Sequence, residues 1–244
     1  MRLKNLDIIK SLGELEALPD GKLMINTINT YSYVRARKDS RFASALEDSG
    51  ALIPDGMGIV WACRLIRAKC RPSQRITGWD LFEYEMKRLD RKGGTCFFMG
   101  SSPQVLDLIV KKASETYPNI KVSTYSPPYK DCLDDDDNAV IFDRINRVRP
   151  NLLWIGMSAP KQEKWLAENW EKLDIRGHAG SIGAVFSFFA GTEKRAPERW
   201  QRSGFEWLYR FAHNPSRLWR RYITGNLQFA AYLIGEMFSR SAKS

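Results

Sequence analysis

An α/β fold, in which a Rossmann-like, largely parallel sheet carries helices on both faces, is predicted by two features of the sequence. Between Lys22 and Gly191 short apolar runs alternate with longer segments of helical period. At 244 residues the chain is also long enough to bury a sizeable core without disulfide or metal staples.

In order, KLMINTIN (22–29) reads as the first strand and is followed by a helical pattern over 30–48. ALI (51–53) stops at Pro54 and leads into a pattern over 57–69. The helix over 79–91 starts behind Thr77 and Gly78. TCFFMG (95–100) precedes a helix at 102–117, and IKVSTY (120–125) one at 136–148. NLLWIGM (151–157) feeds a helix over 160–171 with Pro160 in its first turn, and IRGHAGSI (175–182) one over 183–190. In sheets of this kind ligands bind beyond the carboxyl ends of the strands. The loops of interest are therefore NTINT, PDGMG, GSSPQ, GMSAPKQE and GSIGA.

Formal net charge is +10, which points to an anionic partner: nucleic acid, an acidic membrane surface or a phosphorylated substrate. From Thr192 to Ser244 ten Lys or Arg stand against four Glu, a net of +6. The chain thus divides into an α/β catalytic domain, residues 1–191, and a basic, aromatic-rich helical appendage, residues 192–244. In the appendage Trp200, Trp207 and Trp219 stand among arginines, and apolar residues from Leu218 to Met237 recur at helical spacing. Its longest uncharged stretch, Tyr222 to Gly235, is too short and too polar to span a bilayer. That leaves an in-plane interfacial helix, or a terminal helix pair packed on the domain.

Cys63, Cys70, Cys96 and Cys132 show no CxxC pair and no zinc spacing, so reduced, buried thiols of a cytoplasmic protein are expected. The N-terminal MRLKNLDIIKSLGELEALPDG mixes charged and apolar residues and lacks the apolar run of a signal peptide. In DCLDDDDNA four consecutive aspartates cannot converge on one ion; they read as the acidic start of a helix near Asp136.

Only two histidines exist, His178 and His213, and His178 falls in a strand as a core or edge residue. Proton transfer at neutral pH then falls to a carboxylate. Asp55, between Pro54 and Gly56 at a strand end, is the candidate; an N-cap or turn role is the alternative. NTINTYS offers Asn26, Thr27, Asn29 and Thr30 for hydroxyl, amide or phosphate recognition, or for a self-capping turn. WIGMSAPKQEKW places open backbone amides, Lys161 and Gln162 at a helix start, a natural phosphate or oxyanion site. Arg75 suits a phosphate, Asp55 or solvent.

Taken together and in order, TIN, PDGMGIV, RITGWDLF, GSSPQVL, YSPPY, WIGMSAPKQEKW, GSIGAVFSFFAGTEKRAP, GFEWLYR and NPSRLWRRY resemble the WecG/TagA/CpsF family of bacterial glycosyltransferases, from about Lys22 to Tyr222. The resemblance implies an inverting, metal-independent enzyme without a cofactor. It moves a sugar from a UDP-sugar to a polyprenyl-diphosphate-linked saccharide for teichoic acid, enterobacterial common antigen, capsule or exopolysaccharide. It also implies a peripheral protein on an anionic membrane surface at the cytoplasmic face, with no nucleic acid partner. The catalytic-base aspartate of the family falls on Asp55, its Thr-x-Asn pair on Thr27 and Asn29, its arginine on Arg75 and its glutamine on Gln162. The arginines of its active-site-covering appendage match Arg210, Arg217 and Arg220. One departure is Ser187 in GAVFSF, where the family usually writes aspartate. The donor sugar, the pathway and homo-oligomer formation stay open. Competing classes are a nucleic-acid-binding module, a nucleotide-dependent oxidoreductase or methyltransferase that lacks its glycine fingerprint, and a membrane-docking scaffold.

Overall fold

The six apolar runs become β1 (Leu23–Ile28), β2 (Ala51–Pro54), β3 (Gly94–Gly100), β4 (Ile120–Tyr125), β5 (Leu152–Gly156) and β6 (His178–Ser181) of one sheet. The computed structural model describes residues 1–197, 199–200, 206–213 and 224–238. The strand order is β2-β1-β6-β5-β3-β4 and every pairing is parallel. Nearly every residue of β2, β5 and β6 is buried, the expectation for parallel strands covered on both faces.

The helices between strands are α1 (Leu12–Glu16), α2 (Thr30–Ala36), α3 (Ser40–Glu47), α4 (Met57–Leu65), α5 (Gly78–Lys92), α6 (Pro103–Thr116), α7 (Asp135–Val148), α8 (Lys161–Asn169) and α9 (Val185–Ala190). One face of the sheet packs Leu15, Leu81, Phe82, Leu106 and Phe186 from α1, α5, α6 and α9 around Ile25, Ile53, Phe98 and Trp154. The other face carries α2, α3 and α4 over Ile28 and Leu52, and α7 and α8 over Met24, Leu153 and Ile155.

The single helix expected over 30–48 is in fact two. Asp39 leaves helical backbone and its side chain accepts a hydrogen bond from Phe42 N at 3.0 Å, so a new helix begins there. The acidic run behaves as expected: Asp134 caps α7, accepting from Asp137 N at 2.9 Å, and Lys130 bridges Asp134 and Asp137 at 2.8 Å each. Among the described residues no group of three or more His, Cys, Asp or Glu is placed to hold a metal ion. Cys63, Cys70 and Cys96 are buried thiols, whereas Cys132 is exposed, contrary to expectation, because it lies in the open loop ahead of Asp134.

Two further helices lie in the appendage, α10 (Glu206–His213) and α11 (Gly225–Phe238). α11 seats Phe229 and Leu233 in the apolar cluster of α2 and α4, with Tyr33 edge-on to Phe229 at 5.5 Å. Glu236, 4% exposed, joins three parts of the chain. Its carboxylate accepts from Leu3 N and Lys4 N at 2.9 Å each and from the Tyr33 hydroxyl. Burial and this carboxylate hold the Tyr33 phenol well above its usual range, so the hydroxyl stays a donor. Glu236→Ala leaves three donors, two of them buried, without their acceptor. It is expected to lower stability by about 2–4 kcal/mol, read as a lower denaturation midpoint with an unchanged m-value.

Candidate active site

The last paired residues of β1 and β2 are Ile28 and Pro54, and Asp55 N donates to Ile28 O at 2.8 Å. The ladder thus runs one step past the strands and sets Asp55, half-buried, beside Asn29. Gly56 follows at φ 122°, a backbone that a Cβ would strain, and turns the chain into α4. Asn29 caps α2 reciprocally: its Oδ1 accepts from Ser32 N at 2.9 Å while Asn29 N donates to Ser32 Oγ at 2.7 Å. Its side-chain oxygen is committed to the helix, which leaves the amide hydrogens to face a ligand. Thr27, paired with Ile53, projects from the face of the sheet that carries Ile25.

Ile76 N donates to Pro54 O at 3.0 Å, which brings the preceding Arg75 to the same corner. The sequence offered Arg75 a phosphate, Asp55 or solvent. Its Nη1 instead meets Glu206 Oε2 of α10 at 3.3 Å, and both side chains are more than four-fifths buried. The appendage therefore reaches the corner formed by Asp55 and Asn29. α11 does so too, through Thr30 Oγ1 to Asn226 Oδ1 at 3.3 Å and Lys38 Nζ to Gln228 Oε1 at 2.8 Å. Arg210 lies in α10 one turn beyond Glu206. Arg217 and Arg220 lie outside the described residues.

Gln162 stands across β6, in the first turn of α8. The open amides expected there are not present: Lys161 N and Gln162 N both donate to Ser158 O, at 2.8 and 3.4 Å. This turn offers hydrogen-bond acceptors instead. Gln162 Nε2 donates to Glu163 Oε1 at 2.8 Å. Gln162 Oε1, Glu163 Oε2 and Ser181 Oγ are buried with no hydrogen-bond partner among the described residues, as is Asn26 Oδ1. The register Ile25 to Gly180 makes Asn26 and Ser181 neighbours on the α3 and α8 face of the sheet. Gly183 closes this cluster, since a Cβ there would stand 3.3 Å from Gln162 Oε1 at a φ of 35°.

Glu163, Ser181 and Glu206 escaped the sequence reading. A glutamate in the first turn of a helix is ordinarily a surface residue that answers the dipole; nothing local shows that this one is buried. Glu163 is 3% exposed, and burial pushes its carboxyl group up to about 7. His178, by contrast, lies in β6 as expected, at the amino end of the strand and away from the site. Its Nδ1 faces Glu85 Oε1 at 2.8 Å and its Nε2 faces Pro19 O at 2.9 Å. Ser187 sits near the end of α9, where its backbone carbonyl accepts from Thr192 N and Glu193 N at 3.0 and 3.2 Å. Closure of that helix therefore needs no particular side chain at 187.

A parallel α/β sheet whose carboxyl edge gathers a half-buried aspartate, a capping asparagine, a buried arginine and buried unpaired acceptors has the layout of a group-transfer enzyme. The chain belongs to the WecG/TagA/CpsF glycosyl transferase family, whose model matches residues 1–243. It is 31% identical over 201 residues to the N-acetylglucosaminyldiphosphoundecaprenol N-acetyl-beta-D-mannosaminyltransferase of Bacillus subtilis (strain 168), covering 82% of this chain and 75% of the relative. The protein of the same name from Bacillus spizizenii (strain ATCC 23059 / NRRL B-14472 / W23) is 30% identical, with 82% and 74% covered. The chain is thus a glycosyltransferase. Among the described residues no helix is long and apolar enough to cross a membrane.

The Glu163 carboxyl group titrates higher in the fold, at about 7, than its ordinary value of 4.5, so the folded state binds the extra proton between those values. Stability is therefore fully present below about 4.5, falls as pH rises through about 7, and is level above that. Glu163→Gln, which keeps the shape and removes the charge, should erase this slope. It should exceed the wild type at pH 8 by about 3 kcal/mol or less in thermal or denaturant unfolding.

Proposed function

We propose that the protein transfers an N-acetylmannosaminyl group, with inversion, from its UDP-linked donor to the N-acetylglucosamine of a diphosphoundecaprenol-linked acceptor. The donor and acceptor are suggested by the names of the two Bacillus relatives. The observation that carries the proposal is the Asp55 N to Ile28 O hydrogen bond. It fixes a carboxylate at the ligand edge of the sheet, beside Asn29 and the Arg75 corner.

Asp55 accepts the proton of the acceptor hydroxyl as that oxygen bonds to the anomeric carbon. The carbon–oxygen bond to the diphosphate breaks on the opposite face, and its electron pair leaves with UDP. The negative charge that develops on the leaving group calls for cations. Arg75 supplies one once the diphosphate displaces Glu206, and Arg210, Arg217 and Arg220 of the appendage supply others. Thr27, Asn29 and Gln162 bind the substrates. No metal ion takes part in this scheme.

Docking at the cytoplasmic face of an anionic membrane would bring the enzyme to its lipid-linked acceptor. The outer side of α11 supports this, since Leu227, Ile234, Met237 and Phe238 are 47–82% exposed on a helix adjoining basic sequence.

Asp55→Asn is expected to cut kcat by ~10²- to 10⁴-fold while the protein still binds UDP. UDP release with UDP-N-acetylmannosamine and an N-acetylglucosaminyl-diphosphoundecaprenol acceptor measures this, and near-wild-type turnover would remove Asp55 from the role. Excess EDTA should leave the same assay unchanged, and a loss restored by Mg²⁺ would overturn the metal-independent scheme.

A further inference from the structure

Four buried polar atoms lie under the carboxyl ends of β1 and β6 and at the start of α8 without a hydrogen-bond partner among the described residues: Asn26 Oδ1, Ser181 Oγ, Gln162 Oε1 and Glu163 Oε2. A buried acceptor left unpaired costs on the order of 1–3 kcal/mol, so such a cluster beside a ligand edge calls for a ligand that satisfies it. The chemistry of the set selects the ligand. Three of the atoms are amide or carboxyl oxygens, the fourth is a hydroxyl, and the nearby backbone amides of Lys161 and Gln162 are already bonded to Ser158 O. A diphosphate brings only acceptor oxygens and negative charge, which cannot satisfy amide and carboxyl oxygens. A sugar brings hydroxyl and acetamido N–H donors.

Gln162 can serve as an acceptor only if its amide is held one way round. Gln162 Nε2 makes the 2.8 Å contact with Glu163 Oε1, which leaves Gln162 Oε1 free of Glu163 and within reach of Gly183. We propose that Glu163 is a positioning residue: it locks the Gln162 amide with its carbonyl oxygen presented to the donor sugar, so that the site selects a hydrogen-bond donor at that point. This rests on the UDP-sugar reading above. Glu163 touches no reacting atom, and its effect reaches the substrate through Gln162.

The test uses the full-length protein, with UDP-N-acetylmannosamine and UDP as probes in calorimetric binding and steady-state assays. Glu163→Met removes the acceptor at similar volume, Glu163→Gln restores one through its own carbonyl, and Gln162→Leu removes the presented oxygen. In Glu163→Met, KM and Kd for UDP-N-acetylmannosamine are expected to rise about tenfold, the value of one hydrogen bond. Its kcat and its affinity for UDP should stay near wild type, and Glu163→Gln should stay within about threefold of wild type for both ligands. In the Gln162→Leu background, Glu163→Met should add nothing, because the oxygen it positions is gone. Equal weakening of UDP and UDP-sugar, additive losses in the double variant, or unchanged KM in Glu163→Met overturns the positioning role while leaving the donor reading intact. A wild type that fails to bind or turn over UDP-N-acetylmannosamine overturns the donor reading and the inference with it.

Discussion

The register of β1 between β2 and β6 is the constraint on which the site depends. Side chains alternate along a strand, so β1 sends Ile25 into one apolar layer and Met24 and Ile28 into the other. Burying such side chains stabilises by roughly 1.5–3 kcal/mol each, more than any single polar contact at the site. A slip of one residue would exchange these faces and cost several of those terms at once. The same slip would move Asn26 away from Ser181 and break the bond that carries Asp55 past the end of β2. Hydrophobic burial therefore sets the position of the polar groups, and the polar groups contribute little to choosing it.

How much of this the sequence displays follows from the range of each interaction. The six strands and the helices after them are legible because apolar runs and helical periods are local. So is the acidic start of α7, since a cap and its box lie within four residues. The break between α2 and α3 was missed because Asp39 reads as one more polar residue on a helix until its backbone is seen to leave the helix. Asp55 was legible from Pro54 and Gly56, which mark a strand end. The Arg75 partner was not, because Glu206 lies 131 residues away. The burial of Glu163 is not legible, since a helix start gives no sign of which neighbour will cover it. The open amides predicted at that start failed for a related reason: Ser158 O turns back and accepts from two of them.

The appendage is coupled to the site by more than proximity. α2 begins at Asn29, which faces the cleft, and one turn later presents Tyr33 to Glu236 of α11. Glu236 also holds Leu3 and Lys4, so the N-terminal turn, α2 and the terminal helix are organised around one carboxylate. At the other end of the appendage Glu206 occupies the guanidinium of Arg75. A carboxylate is a fair electrostatic substitute for a phosphate oxygen, so the pair keeps a buried arginine compensated while the cleft holds no anion. The same ion pair ties α10 to the corner where Ile76 N meets Pro54 O.

The titratable groups at the two ends of the sheet meet unlike surroundings. His178 is spent at the amino end of β6, where Glu85 and Pro19 O take both ring nitrogens, and it lies across the sheet from the cleft. The carboxyl edge then has Asp55 and Glu163, in opposite surroundings. Glu163 is buried, and its burial favours the neutral form. Asp55 is half-buried ahead of the amino end of α4, at the corner that Arg75 shares. Two carboxyl groups on one edge of the sheet thus differ in kind: the buried one favours its neutral form and accepts from its neighbour's amide, whereas the other stays partly open to solvent.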